Sequence, residues 1–254
     1  MAAERPVIRV HDLVTRIGSK LIHDHVDLDV NRGEVIAIVG GSGSGKSVLL
    51  RSIVGLIKPV GGSIEVLGRD VLAADENHMR WLQMRWGVLF QEGALFSSQT
   101  VAENVQVPLR EYTHMPQELM NEIAAMKLSM VGLSEDAASK HPSELSGGMK
   151  KRASLARALV LDPEIVFLDE PTAGLDPIAA SNFDDLIRRL QKSLNLTVFM
   201  VTHDLDTLRA IVDRIAVLVK GKLKVGTIES LRNDPDPWIQ DYFSGPRGRA
   251  AIPC

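Results

Sequence analysis

Apolar and polar positions alternate through the first thirty or so residues: Val7, Ile8 and Val10, then Leu21, then Val26, Leu28 and Val30. Alternation of this kind, broken by Gly18 and by Asn31-Arg32-Gly33, predicts antiparallel strands joined by turns. The run Val35-Ile36-Ala37-Ile38-Val39 is different, being wholly apolar and bounded by glycines. That is the pattern of a short strand buried on both faces. A Gly/Ser loop follows, then an apolar stretch over 47–57 that ends at Lys58-Pro59, giving strand, loop, helix. Residues 61–90 read as further strands around Gly61-Gly62 and Gly68. From about Pro116 to Leu145 the period lengthens, with Leu119, Ile123, Met126, Met130 and Leu133 at helical spacing, which predicts an inserted helical lobe. Residues 153–161 and 183–194 predict helices, and 165–168 and 196–201 two more buried strands, each followed by a polar loop. A last hairpin around Lys220-Gly221-Lys222 leads into a Pro- and Asp-rich tail from about Asn233.

Composition narrows the class of protein. The 254 residues suit one large domain, or one domain with an inserted lobe. Lys and Arg number 29 against 32 for Asp and Glu, a net charge of −3, so there is no basic excess for broad nucleic-acid binding. Cys254 is the only cysteine, which excludes an intrachain disulfide and a Cys-based zinc site. The start, with Glu4 and Arg5, lacks the apolar core of a signal peptide. No apolar run approaches the roughly 18–20 residues needed to cross a bilayer. The expectation is a cytosolic chain that leaves any membrane crossing to another subunit. His23-Asp24-His25 invites a metal reading, but the two histidines are expected on one strand face and no further cluster completes a site.

Candidate chemistry is concentrated in two places. Gly40-Gly41-Ser42-Gly43-Ser44-Gly45-Lys46-Ser47 fits G-x-x-x-x-G-K-[ST] between a predicted strand and a predicted helix, the context of a P-loop. Glycines let successive N–H groups face a phosphate, and the helix N-terminus adds partial positive charge. Lys46 supplies a full charge to the β- and γ-phosphates, and the Ser47 hydroxyl is suited to Mg²⁺. A dinucleotide loop would need a third glycine where Lys46 stands. The second place is Ile165-Val166-Phe167-Leu168-Asp169-Glu170, a buried strand that delivers two carboxylates at its C-terminal end. Asp169 is suited to holding Mg²⁺ and Glu170 to orienting and deprotonating a water.

With Leu145-Ser146-Gly147-Gly148-Met149 opening a helix shortly before that strand, the sequence resembles the ATP-binding-cassette (ABC) transporter ATPases, whose signature is Leu-Ser-Gly-Gly-Gln. Gln91 matches that family's Q-loop, Ala173-Gly174-Leu175-Asp176 its D-loop and Thr202-His203-Asp204 its switch-histidine loop, all in order over about residues 7–230. The resemblance implies an α/β P-loop NTPase with a RecA-like core, an N-terminal antiparallel β subdomain and an α-helical subdomain inserted at about 95–160. It implies one ABC ATPase domain over 7–245 and a short tail over 246–254. Glu170, His203 and Gln91 would be catalytic, and Ser47, Gln91 and Asp169 would hold Mg²⁺. Gly40 to Ser47, Val48, Arg16 and Asp176 would contact ATP, with Ser146, Gly147 and Gly148 facing the nucleotide of a second copy in a head-to-tail dimer. Two departures stand out. Met149 removes an amide near the ribose, and Arg16-Ile17 stand where an adenine-stacking aromatic is usual. Arg16 can stack on a base and Ile17 can offer an apolar contact, so weak base selectivity is expected.

Segments beyond these motifs narrow the resemblance. Gly93-Ala94-Leu95-Phe96, Asn104-Val105-Gln106-Val107-Pro108-Leu109-Arg110-Glu111, the Met-ended signature and Asn233-Asp234-Pro235-Asp236-Pro237 are similar to the ATPases of the maintenance-of-lipid-asymmetry (Mla) and related MCE-associated transporters. The resemblance implies a peripheral ATPase on the cytoplasmic face of a Gram-negative inner membrane, moving phospholipid between inner and outer membranes. Implied partners are a second copy, an MlaE-like permease, a small MlaB-like STAS-domain protein and, through the permease, an MlaD-like MCE hexamer, with no nucleic acid. An importer ATPase for a small polar solute such as an amino acid shares every catalytic motif. A soluble ABC ATPase of DNA repair or translation usually carries two cassettes or long coiled coils, whereas this chain has room for one cassette and shows no heptad tract and no basic stripe. Two segments leave alternatives open. The apolar stretch 92–111 fits either a groove for a permease helix or core packing. Trp238, Tyr242 and Phe243 share one face of a predicted short helix, fitting either a clamp on a second subunit or docking on the chain's own domain.

Overall fold

The computed structural model describes residues 6–244, so the tail 246–254 with Cys254, and the start with Glu4 and Arg5, lie outside the described residues. In chain order the elements are β1 (Ile8–Ile17), β2 (Lys20–Val30), β3 (Val35–Val39), α1 (Lys46–Ile53), β4 (Gly61–Val66), β5 (Arg69–Asp70), α2 (Glu76–Gln83), β6 (Trp86–Leu89) and α3 (Val101–Tyr112). There follow α4 (Gln117–Met130), α5 (Gly147–Ala158), β7 (Ile165–Asp169), α6 (Pro177–Leu194), β8 (Thr197–Val201), α7 (Leu205–Ile211), β9 (Arg214–Val219), β10 (Lys222–Gly226), α8 (Ile228–Arg232) and α9 (Pro237–Ser244). They form two compact units, one built from the chain up to Met79 and from Thr197 onward, the other from Arg80–Leu196.

The first unit holds an antiparallel sheet in the order β2-β1-β4-β5. It also holds β3 between β8 and β9, parallel to both, with β10 antiparallel along β9. Every residue of β3 and β8 is buried, as a wholly apolar strand requires. Register shifts in the β1–β2 ladder alter the expected alternation. His25, at φ 54°, points outward to Asp12, whereas His23 is fully buried. The two histidines therefore do not share a face, and the strand-face reading of this pair is corrected by the bulged register.

The second unit pairs β6 with β7 in parallel and surrounds them with helices. The backbone of α5 lies so close to β6 that a Cβ added at Gly87 would sit 1.9 Å from the carbonyl oxygen of Ala158. The stretch 92–111 resolves into a loop and α3, which opens with a Thr100–Glu103 capping box. Val101, Val105 and Leu109 are buried, so core packing accounts for the apolar residues of α3, while Phe96 stays half exposed. Three short helices were not anticipated: α2 stands where strands were expected, α7 follows the switch loop, and α8 follows β10. Helix α6 starts at Pro177, well ahead of the expected 183, because Asp176 caps it and Pro177 suits the first turn.

Candidate functional site

In the first unit the loop after β3 turns into α1 through glycines that no other residue can replace. A Cβ at Gly45 (φ 109°) would lie 2.5 Å from Ile22 Cγ2, and one at Gly40 would lie 2.5 Å from the Leu218 carbonyl oxygen. Gly41, Ser42 and Gly43 form the crest, and Ser44 closes it by donating its N–H to the Gly41 carbonyl at 3.2 Å. Lys46 folds back over the loop, and its Nζ donates to the carbonyls of Gly40 at 2.9 Å and Gly41 at 3.1 Å. Ser47 and Val48 are half-buried in the first turn of α1. Beneath the loop, His23 Nε2 meets the Gly45 carbonyl at 3.2 Å, so the neutral ring carries its proton on Nε2. Burial holds the His23 pKa below its ordinary value.

His203 is exposed at the end of β8. The next residue, Asp204, caps α7 and draws its own N–H to the Thr202 hydroxyl. Helix α9 stands beside both loops. Trp238 stacks on Tyr242 at 5.1 Å and lies about 3.8 Å from where a Gly41 Cβ would be, while the Tyr242 hydroxyl donates to the His203 carbonyl at 3.2 Å. Ile239 and Phe243 are buried, so one side of this helix docks on its own unit, while Trp238 and Tyr242 stay partly exposed. Sequence periodicity gave the helix but not its neighbours, because nothing local marks a contact across almost two hundred residues. Arg16 is exposed at the end of β1, with its guanidinium donating to the Ser19 carbonyl at 3.4 Å.

In the second unit, Asp169 is buried at the C-terminal end of β7 and Glu170 follows it in a left-handed conformation, φ 51°. Ser146 caps α5, its hydroxyl accepting the Met149 N–H at 3.3 Å, and a Cβ added at Gly147 or Gly148 would lie 3.8 or 4.0 Å from Leu175 Cδ2. Asp176 caps α6 by accepting the Ala179 N–H at 2.9 Å. Gln91 is exposed after β6. Lys151, which the sequence reading passed over, donates from Nζ to the carbonyls of both Gln91 and Glu170. Its signal in the sequence was only a lysine five residues after the signature serine.

The donors proposed for a metal are a hydroxyl at Ser47, a carboxylate at Asp169 and an amide at Gln91. An all-oxygen set of this kind fits Mg²⁺, which keeps phosphate oxygens and water among its ligands. Among the described residues no group of three or more His, Cys, Asp or Glu side chains could hold a metal alone.

A glycine-rich loop between a buried parallel strand and a helix, carrying Lys46 and Ser47, defines a P-loop nucleoside-triphosphate-binding protein. More closely, the chain belongs to the ABC transporter family, which matches it over residues 23–173. It is 40% identical over 240 residues to the intermembrane phospholipid transport system ATP-binding protein MlaF of Haemophilus influenzae, covering 94% of this chain and 90% of that protein. It is 39% identical over 241 residues to the probable ribonucleotide transport ATP-binding protein mkl of Mycobacterium leprae, covering 94% of this chain and 69% of that one. Among solved structures, a dimeric ATP-binding cassette in a post-hydrolysis state with ADP and Pi is similar at TM-score 0.79 and 30% identity, over 87% of this chain and 98% of that one. The protein is thus an ATP-hydrolysing enzyme with the ABC ATPase fold, a mixed α/β architecture with an antiparallel β subdomain.

Proposed function

We propose that this chain is the energising subunit of a transporter that moves phospholipids between the inner and outer membranes. The observation that carries the reading is its likeness, over nearly its full length, to an intermembrane phospholipid transport ATPase. The work is done at the cytoplasmic face of the inner membrane. Partners are a second copy, a membrane permease, a small STAS-domain protein and an MCE-domain hexamer reached through the permease.

ATP binds to the loop from Gly40 to Ser47, where backbone N–H groups and the N-terminus of α1 face the phosphates. Lys46 exchanges its two loop carbonyls for phosphate oxygens, so its charge neutralises the group under attack. Ser47, Asp169 and Gln91 would hold Mg²⁺, which when bound would supply charge neutralisation to the triphosphate. Glu170 accepts a proton from the attacking water. The water oxygen bonds to the γ-phosphorus as the bond from that phosphorus to the bridging oxygen breaks, giving ADP and phosphate. His203 keeps water, carboxylate and phosphate in register. Ser146, Gly147 and Gly148 cap the γ-phosphate bound by the second copy, with Asp176 beside them. ATP therefore joins the two copies, and hydrolysis separates them.

The test is to purify the complex from membranes, identify its subunits and extract its bound small molecules for mass spectrometry. Phospholipid with a permease and an MCE-domain protein is the expected result. A ribonucleotide, as the mycobacterial relative's name suggests for that protein, or a small polar solute held by a periplasmic binding protein would overturn the reading.

A further inference from the structure

Glu170 poses a physical problem. A non-glycine residue at φ 51° is strained, and such strain persists only where its surroundings hold it. Part of that hold is visible. The Glu170 carbonyl accepts from Lys151 Nζ at 3.0 Å, as well as from the Ala173 N–H at 3.3 Å. The same ammonium donates to the Gln91 carbonyl. Lysine is rarely buried unless its charge is matched, yet Lys151 is only 7% exposed. Burial pushes its pKa down, and the charges of Glu170, Asp169 and Glu92 act against that.

Lys151 is not alone on its side of α5. Three residues on, Ser154 is buried against Gly93, where an added Cβ would lie 2.5 Å from Ser154 Oγ. Three further on, Arg157 donates to the carbonyls of Gly93 and Ala94, both at 2.8 Å. Spacing of three places these residues along one stripe of the helix. The stripe holds the loop that begins at Gln91, and Lys151 also holds the Glu170 carbonyl. Ser146, which opens the helix, lies about 7.5 Å along the axis from Lys151, at 1.5 Å rise per residue.

We propose that Lys151 is a positioning residue for hydrolysis, its ammonium group tying the main chain of Gln91 and of Glu170 to the helix that Ser146 caps. Any displacement of α5 at its capped end is thereby passed to the general base and to the Q-loop together. The inference rests on the assignment of Glu170 made above, so Glu170→Gln is measured beside it.

The experiment uses the full chain in the complex purified from membranes. Steady-state ATP hydrolysis, binding of a fluorescent ATP analogue and thermal unfolding are followed for Lys151→Met, Lys151→Gln and Lys151→Arg. Met keeps the length of the stem and removes the charge and all donors. The expected result is a kcat about tenfold lower or more for Lys151→Met, with analogue affinity within about twofold of the parent, since two charge-assisted hydrogen bonds are lost. Lys151→Arg, which retains donors, is expected to recover most of the rate, and Lys151→Gln to fall between. If the Met variant does not fold, the order of parent, Arg and Gln carries the same test. A parental kcat in Lys151→Met or in Lys151→Gln overturns the proposal. So does a loss of kcat that follows thermal stability and is not restored by Arg, which would make the lysine a structural support only. If Glu170→Gln itself hydrolyses ATP at the parental rate, the assignment of the base fails instead, and the two failures are distinguishable.

Discussion

The Tyr242 hydroxyl donates to the main-chain carbonyl of His203 at 3.2 Å, linking the last described helix to the switch loop. His203 is exposed, and a side chain at the end of a strand keeps its direction only if its peptide is held. Tyr242→Phe removes that bond while keeping the ring stacked on Trp238. We expect kcat to fall roughly three- to tenfold, as one neutral hydrogen bond allows, with the KM for ATP unchanged. Steady-state ATP hydrolysis checks it.

The head-to-tail arrangement predicts that two different lesions complement each other. Lys46→Ala should weaken ATP binding to the chain that carries it, and Ser146→Arg should block the nucleotide held by the other chain. Each variant alone should be nearly inactive. In a mixed assembly, one site would join the intact P-loop of the Ser146→Arg chain to the intact signature of the Lys46→Ala chain. About half of the parental activity per mixed dimer is expected from co-expressed, differently tagged subunits. No recovery would exclude shared sites.

Glu170→Gln is expected to bind ATP and to stall. Gel filtration with ATP should then show a persistent dimer of the purified chain where the parent shows a transient one.

His23 gives a pH dependence. Its folded-state pKa is held below the ordinary 6.5 by burial, so the unfolded chain binds the extra proton first as pH falls. The stabilisation is complete above about 6.5, and it is lost progressively from there down to the folded pKa. His23→Gln keeps a donor for the Gly45 carbonyl but does not titrate. Its unfolding temperature should fall less than the parent's between pH 7 and pH 5, which differential scanning calorimetry measures.

Arg16 is already engaged with the Ser19 carbonyl, and Ile17 is half exposed beside it. Neither provides a fixed aromatic plane for a base. GTP is expected to compete with ATP within about tenfold, and equilibrium competition with a fluorescent analogue reads it out.

Much of this fold was legible in the sequence where one local signal sufficed. A run such as Val35–Val39, flanked by glycines and followed by Lys46, admits few other structures. Helix α3 was not read as a helix, because Val101, Val105, Val107 and Pro108 within it disguise the helical period and its Thr100–Glu103 capping box went unread. Helix α2 escaped because it opens with the polar run Glu76-Asn77-His78 and buries only Leu82 along its length. At the site, Lys46 and Asp169 were proposed from motifs at a strand or helix terminus, and Ser146 from the resemblance to the ABC signature. Lys151 and His23 were not, because each acts on a main-chain carbonyl from another element, and a carbonyl leaves no mark in the sequence. The bulged register that buries His23 and exposes His25 is equally silent in the alternation of β2.

The indole of Trp238 beside Gly41 gives the protein a built-in optical reporter of its own phosphate loop. Only three tryptophans are present, and Trp81 and Trp86 both belong to the other unit. A change in intrinsic emission on adding nucleotide, abolished by Trp238→Phe, would follow loading of that loop in real time and without an attached dye.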